Sequence, residues 1–457
     1  MKSNGKFRIR HDSMIDRRWA WALILLAAGS LGVASQEADP VILPPRLPDG
    51  ASVVTIQTDR LLEAPAGLDG IAVAATAPKV DLLYYPGQTY AGNPWSNWGD
   101  GVAVGDVYYS AIGDHRAPRG NAFVYCYDAR TQELKQIVNL QEVLNVPAGQ
   151  YTPGKIHSRI DMGSDGWLYF ATHRGSTKVT TDEFGYEGDW IVRHHPETGR
   201  TEVIARGPAG KDCIPCSVLD PKGLIFYGGT ASGDVNDKRI QFFAYDVTTK
   251  KILYRGYDGP ERYMMFSSTR GTVYFVPGLK GRLRRYDPRH DAAPIELDAE
   301  IGIRAATTET LQGFIYTAGK DNDATLYRFD VRGEKVDKLG SAVVGTQSYI
   351  TSLDADPSGR YLYYVPGAHG GSETDGSAVV QYDVRTGHKK VIAFLHPELK
   401  ERFGFVPLGT FSTAVSGGGD KLFITWNGNL GGSQRGRLTW DACALTVIHI
   451  PVSEQQP

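Results

Sequence analysis

PGKIHSRIDMGSDGWLYFATHRG, residues 153–175, followed after a polar loop by DWIVRHHPETGR at 189–200, is the stretch that decides the fold. Residues 155–162 alternate in strand fashion, and Gly163-Ser164-Asp165-Gly166 is a turn sequence. Residues 167–172 form an aromatic-rich buried strand. Residues 190–195 make a third strand, closed by the turn Pro196-Glu197-Thr198-Gly199. Together they predict one four-stranded blade.

Two signatures of that blade recur. A glycine-led aromatic strand begins at Gly105, Gly166, Gly223, Gly271, Gly313, Gly359 and Gly419. Each is followed by an apolar strand ending in an aromatic-Asp turn: Tyr127-Asp128, Tyr245-Asp246, Tyr286-Asp287, Phe329-Asp330 and Tyr382-Asp383. His194-His195 takes that place in the second copy, as a variant of the turn, and the seventh copy is degenerate at 443–451. Short strands repeating every ~40–60 residues are the mark of a β-propeller. A blade's faces can be buried only by its neighbours, so the blades close into a ring. The sequence therefore predicts an all-β, seven-bladed β-propeller with four-stranded blades, closed by residues 79–86 pairing beside 444–450.

The totals agree. A chain of 457 residues is too long for one ordinary core, and 53 glycines with 24 tyrosines favour strands and tight turns. The best helical candidate is the short run 397–402. Residues 1–35 read as a signal peptide: Arg17-Arg18, an apolar run at 19–28, then small residues through Val33-Ala34-Ser35. This predicts export to a periplasmic or extracellular space. The apolar run is too short for a membrane span, and no other candidate exists. Residues 36–78 read as an N-terminal leader, loose and proline-rich at 36–50, residues 79–451 as the propeller and 452–457 as a tail.

Removing 1–35 takes away six Lys/Arg and two Asp and moves the formal charge from −2 to −6. That balance argues against nucleic acid as a partner and leaves room for an anionic ligand in a local basic patch. Cys213 and Cys216 close a small disulfide loop or stay reduced, ahead of a two-cysteine contribution to a zinc site that no second pair supports, and Ser217 after them excludes a haem-attachment motif. Cys126 and Cys443 lie in apolar strands, as packing residues do.

In a propeller the first strand of each blade lines the central channel. Those strands map to 98–103, 155–162, 213–219, 263–268, 303–308, 349–355 and 410–416. The loops between second and third strands gather at one mouth. They carry Asp114, His115, Arg116 and Arg119, then His173, Arg174, Lys178 and Tyr186, then His369, then Asn427, Asn429 and Arg435. This mapping predicts His115, His157, His173 and His369 around one rim, beside Arg116, Arg159 and Arg174. Imidazoles carry protons near neutral pH, and arginines neutralise a carboxylate. Such a set suits proton abstraction α to a uronate carboxylate with expulsion of the C4 oxygen. In that chemistry His157 or His173 neutralises or relays, Tyr186 is base or acid, and Arg159 or Arg174 holds the carboxylate. Lys155, His115, Arg116, Arg119, His369 and Asn427 would bind substrate. Glycoside hydrolysis would need two opposed carboxylates, and no such pairing is legible.

A KIH inner strand, a DGWLYFATH strand and a polar loop in that order resemble the propeller polysaccharide lyases, the ulvan lyases in particular. The resemblance covers the architecture and about one blade. It implies an anionic polysaccharide or oligosaccharide as partner, β-elimination as the reaction, and His157 and His173 as the active-site pair. For the family's tyrosine, Tyr186, Tyr227 and Tyr254 compete, as do Arg262 and Arg270 for its arginine. The resemblance also implies a structural metal ion, with no ligand set legible in the chain and no other cofactor motif. The second functional reading is a non-catalytic propeller whose rim binds glycan or protein.

Overall fold

The computed structural model describes residues 43–90, 95–116, 118, 120–278, 280–430 and 440–455, so the expected signal peptide, Arg119 and Arg435 lie outside the described residues. Seven antiparallel sheets follow one another around a ring, a seven-bladed β-propeller. Blade 1 is Val102–Val104, Val107–Gly113, Ala122–Asp128 and Glu133–Asn139, from channel to rim. Blade 2 has an inner strand broken into Lys155–Ile156 and Asp161–Met162, then Leu168–His173, Trp190–His195 and Arg200–Arg206. Blades 3 to 6 start at Asp212–Asp220, Met265–Ser267, Ala305–Ala306 and Leu353–Ala355, each with four strands. Blade 7 takes Phe405–Val415, Lys421–Leu430 and Ala442–His449 from the C-terminal end and Lys79–Tyr84 from the N-terminal end. Val54–Ile56 adds a fifth strand outside it, which the expected four-stranded plan lacks.

Both repeat signatures have a local cause. Six of the seven signature glycines, all but Gly223, sit at φ between 62° and 84° in the turn joining first and second strands, where a Cβ is disfavoured. In blade 3 the neighbour Leu224 takes the positive φ of 52° instead. The Asp of the aromatic-Asp pair accepts a backbone N–H two residues on, as Asp128 does from Arg130 at 2.9 Å and Asp246 from Thr248 at 2.8 Å. Such Asx turns set the hairpin to the outer strand. In blade 2 His195 Nδ1 accepts from Thr198 N–H at 3.4 Å, a weaker substitute.

Six residue pairs, Lys79↔His449 through Tyr84↔Ala444, close the ring. Val80 and Leu82 are fully buried there, and each such side chain contributes roughly 1.5–3 kcal/mol. Asp81 latches the closure, accepting from Thr55 Oγ1 at 2.6 Å and pairing with His449 Nε2 at 2.7 Å. Residues 43–78 are packed on the ring, which corrects the expectation of a loose stretch for residues 43–50. Leu47, Ile56 and Leu61 join the core of blades 6 and 7, and Val73 bridges to Val391. Glu454, in the expected tail, accepts the Ala75 and Thr76 N–H groups at 2.9 and 2.8 Å. All four cysteines are free thiols, so Cys213 and Cys216 are not a disulfide. No helix among the described residues is long and apolar enough to cross a membrane.

Candidate functional site

Trp98 lies where the chain passes from the closing strand into blade 1. Its Nε1–H donates to Ser96 Oγ at 2.6 Å, and that oxygen also meets His115 Nδ1 at 3.1 Å. Around the indole lie the rings of Phe411, His115, Trp440, His157 and His369, with centroids 5.0, 5.1, 5.2, 5.7 and 6.1 Å away. Lys155 Nζ stands 3.8 Å from the centroid of its ring. His173 joins through His157, the two rings 5.2 Å apart, and Tyr349 stacks on His369 at 4.5 Å. The four histidines expected on one rim thus share one mouth.

The backbone explains how. Lys155 pairs with His173 across the blade 2 ladder, and the inner strand then breaks after Ile156. Ser158 Oγ fills the gap, accepting Ala171 N–H at 2.7 Å and donating to Ala171 O at 3.0 Å. His157 and Arg159 on either side line the channel. Blades 1 and 2 approach closely because Gly154 and Gly175 face His115. A Cβ on either would lie 2.7 or 2.6 Å from His115 Cα.

Backbone carbonyls fix both tautomers of the histidine pair. His157 Nδ1 is 3.0 Å from Pro215 O and His173 Nδ1 2.7 Å from Arg174 O, so each Nδ1 carries the hydrogen. Each Nε2 keeps its lone pair. Burial, with Arg262 and Lys155 near His157 and His157 and Lys155 near His173, pushes both imidazoles well below their ordinary pKa. They are neutral bases at pH 7. Burial and the nearby Arg174 and Arg262 bring the Lys155 ammonium down to about 7, and burial with Arg304 and Lys320 brings His369 to about 4.

Below the mouth the channel narrows to a cavity of ≈ 10 Å³, space for about one water-sized particle, lined by Trp98, Asp100, His157, Ser217, Arg262 and Arg304, among others. At its throat Arg159 pairs with Asp161 at 3.3 Å and lies over Tyr263. Asp100 accepts from Tyr263 Oη at 2.8 Å and Ser352 Oγ at 2.7 Å, and Asp354 accepts from Thr413 Oγ1. Burial raises the pKa of Asp100 and Asp354, with the Asp161 charge adding to the first and the Asp100 charge to the second.

Several expected site residues lie elsewhere. Tyr186 is buried in the wall between blades 2 and 3, against Tyr151 with its hydroxyl 3.1 Å from Cys213 Sγ, and cannot serve a ligand at the mouth as base or acid. Asn427 is fully buried and clamps Asn97, accepting its N–H at 2.6 Å and donating to its C=O at 3.0 Å. Arg159 sits at the throat, paired with Asp161, rather than at the mouth. Arg174 donates to Ser232 O at 2.7 Å and Cys213 Sγ at 2.9 Å and lines an outer cleft with Lys238 and Arg262. Arg116 lines a different cleft, with Tyr90 and Phe184. Tyr227 is buried among Phe242 and Phe266, and Tyr254 packs on Phe242 in an outer strand. Residues not foreseen at the mouth are Arg304, Tyr349 and Phe411. Arg304 Nε donates to Tyr349 Oη at 2.7 Å. The signal was present: Tyr349 opens one mapped inner strand as Lys155 opens another, and Arg304 is second in its own. Among the described residues no three His, Cys, Asp or Glu are arranged to hold a metal ion, so the implied structural metal finds no fitting set there.

Comparisons with known proteins give the fold and nothing narrower. No family model and no curated protein matches the chain. Among solved structures it is similar to a propeller in a crystal structure of the mitotic checkpoint complex: TM-score 0.52, 12% identity, covering 85% of this chain and 95% of that one. It is also similar to U3-55K (TM-score 0.51, 12% identity, 83% and 100% covered). The WD40 repeats of RRP9 align at TM-score 0.51 and 11% identity, with 85% and 100% covered. The class is a β-propeller scaffold, and such scaffolds host many functions.

Proposed function

We propose that this chain is an exported protein that binds an acidic, uronate-containing polysaccharide or oligosaccharide at the channel mouth and cleaves it by β-elimination. One observation carries the reading. Lys155 lies over Trp98 and Arg304 over Tyr349, neither with a carboxylate within salt-bridge distance among the described residues, beside two neutral imidazoles. Cations without counter-charges favour an anionic ligand, and Trp98 offers a face on which a sugar ring can stack.

Lys155 and the partly exposed Arg262 hold the uronate carboxylate at the mouth and stabilise charge spreading onto it as the proton leaves. His157 or His173 takes the C5 proton on Nε2. The electron pair forms the C4=C5 double bond and the C4–O bond breaks. The departing oxygen takes its proton from the Lys155 ammonium, whose pKa near 7 suits that transfer. Incubation with a panel of uronate polymers should generate ultraviolet absorbance from unsaturated ends. His157→Ala and His173→Ala should each lower that rate by about 10²–10⁴-fold in a folded ring. Unchanged rates in both variants would end the assignment.

The narrow channel supports the second reading, a non-catalytic rim that binds glycan. A cavity of ≈ 10 Å³ falls far below the usual ~300–1,000 Å³ of ligand pockets, so a sugar ring would rest on the mouth rather than enter. Retained glycan binding without any unsaturated product would select it.

A further inference from the structure

The cavity under the mouth has its own chemistry, independent of any glycan. Arg304 is almost fully buried, 3% exposed, and has no carboxylate within 4 Å among the described residues. Arg262 lines the same cavity and has only Glu261, its neighbour in sequence, at 3.4 Å. Two like charges in a confined, poorly hydrated space repel, and burial together with Arg304 disfavours the Arg262 cation. Guanidinium does not relieve this by losing a proton. Two donors beside them are also unspent. Ser217 Oγ and Arg159 Nε line the cavity, are buried, and have no hydrogen-bond partner among the described residues. Buried donors left unpaired cost free energy, so the arrangement calls for an acceptor. Asp100 also lines the cavity, and it and the other throat carboxylates do not supply the acceptor, being already bonded to Tyr263, Ser352, Thr413 and Arg159.

We infer that the channel beneath the mouth is a binding site for one small inorganic monoanion of halide size, held between Arg262 and Arg304 with the Ser217 hydroxyl as donor. The confined space, ≈ 10 Å³, excludes a sugar ring and leaves room only for a compact acceptor. Such an ion would offset one of the two positive charges under His157 and so tune the field at the histidine pair. Occupancy requires neither glycan nor catalysis.

The test uses the whole mature protein without carbohydrate. Crystals grown in bromide should show an anomalous peak in the cavity against Arg262, Arg304 and Ser217. Chloride or bromide should raise the melting temperature over the same concentration of gluconate, in a saturable manner. Arg262→Gln, at a half-exposed position, should weaken the halide midpoint by about tenfold or more. Ser217→Ala should weaken it less and serves as a second variant should Arg262→Gln fold poorly. No bromide peak, or identical melting curves in bromide and gluconate, would overturn the inference while leaving the glycan reading to its own assay. A peak displaced by an added oligouronate would assign the cavity to the ligand's carboxylate and overturn the inorganic-ion assignment.

Discussion

The mouth and the throat of this channel hold similar groups and differ in how their charges are matched. At the throat Arg159 faces Asp161, Asp100 and Asp354, and hydroxyls from Tyr263, Ser352 and Thr413 satisfy the carboxylates. At the mouth Lys155 and Arg304 rest on Trp98 and Tyr349, with no carboxylate within salt-bridge distance among the described residues. Matched buried charge fastens blades together, because removing one partner strands the other. Unmatched charge is a standing cost to the fold, and a ligand of opposite sign offsets it.

The largest effect expected from this contrast is on stability. Arg159→Met leaves three carboxylates facing one another and should cost about 3–5 kcal/mol in chemical denaturation. Lys155→Met removes an unpaired cation and should change stability by less than about 1 kcal/mol, in either direction. Similar losses in the two variants would erase the distinction. Next in size is the joint between blades 1 and 2. Gly154→Ala pushes a Cβ onto His115 and should cost about 1–3 kcal/mol while moving that ring off Trp98, visible as a change in indole fluorescence. Wild-type stability and fluorescence would show that the joint has slack.

The smallest effects are in pH dependence, and the two regions should oppose each other. His157 and His173 have folded pKa values below their unfolded ones, so the unfolded chain binds more protons. Their contribution is present above about pH 6.5 and is lost as pH falls toward the folded values. Asp100 has a raised folded pKa, so its contribution is present below about pH 4 and is lost as pH rises through the folded value. His157→Gln should therefore flatten the acid-side loss of stability, and Asp100→Asn should steepen it. Shifts of the same sign in both variants would contradict the assignment.

Much of this was legible in the chain, for physical reasons. The turn glycines and aromatic-Asp pairs report backbone geometry that each blade must repeat, so their count gave seven blades. The four histidines could be placed at one mouth because position within a blade determines distance from the axis. Tyr186 and Asn427 show where such reading stops. Both come from the expected loop stretches, but only packing decides whether a side chain in that layer points to the axis or into the seam between blades. Asn427 fills a seam against Asn97, 330 residues away in sequence. Arg304 and Tyr349 escaped notice because each stands alone within an apolar or hydroxyl-rich stretch. They become a pair only across blades 5 and 6.

The central claim, that unmatched cations at the mouth select an anionic glycan, is tested most directly by calorimetric titration with an oligouronate and its carboxyl-reduced, neutral counterpart. Wild type should bind the acidic sugar alone, and Lys155→Met and Arg262→Gln should each weaken that binding about tenfold or more. Equal affinity for the acidic and neutral sugars, or affinity unchanged in both variants, would contradict it.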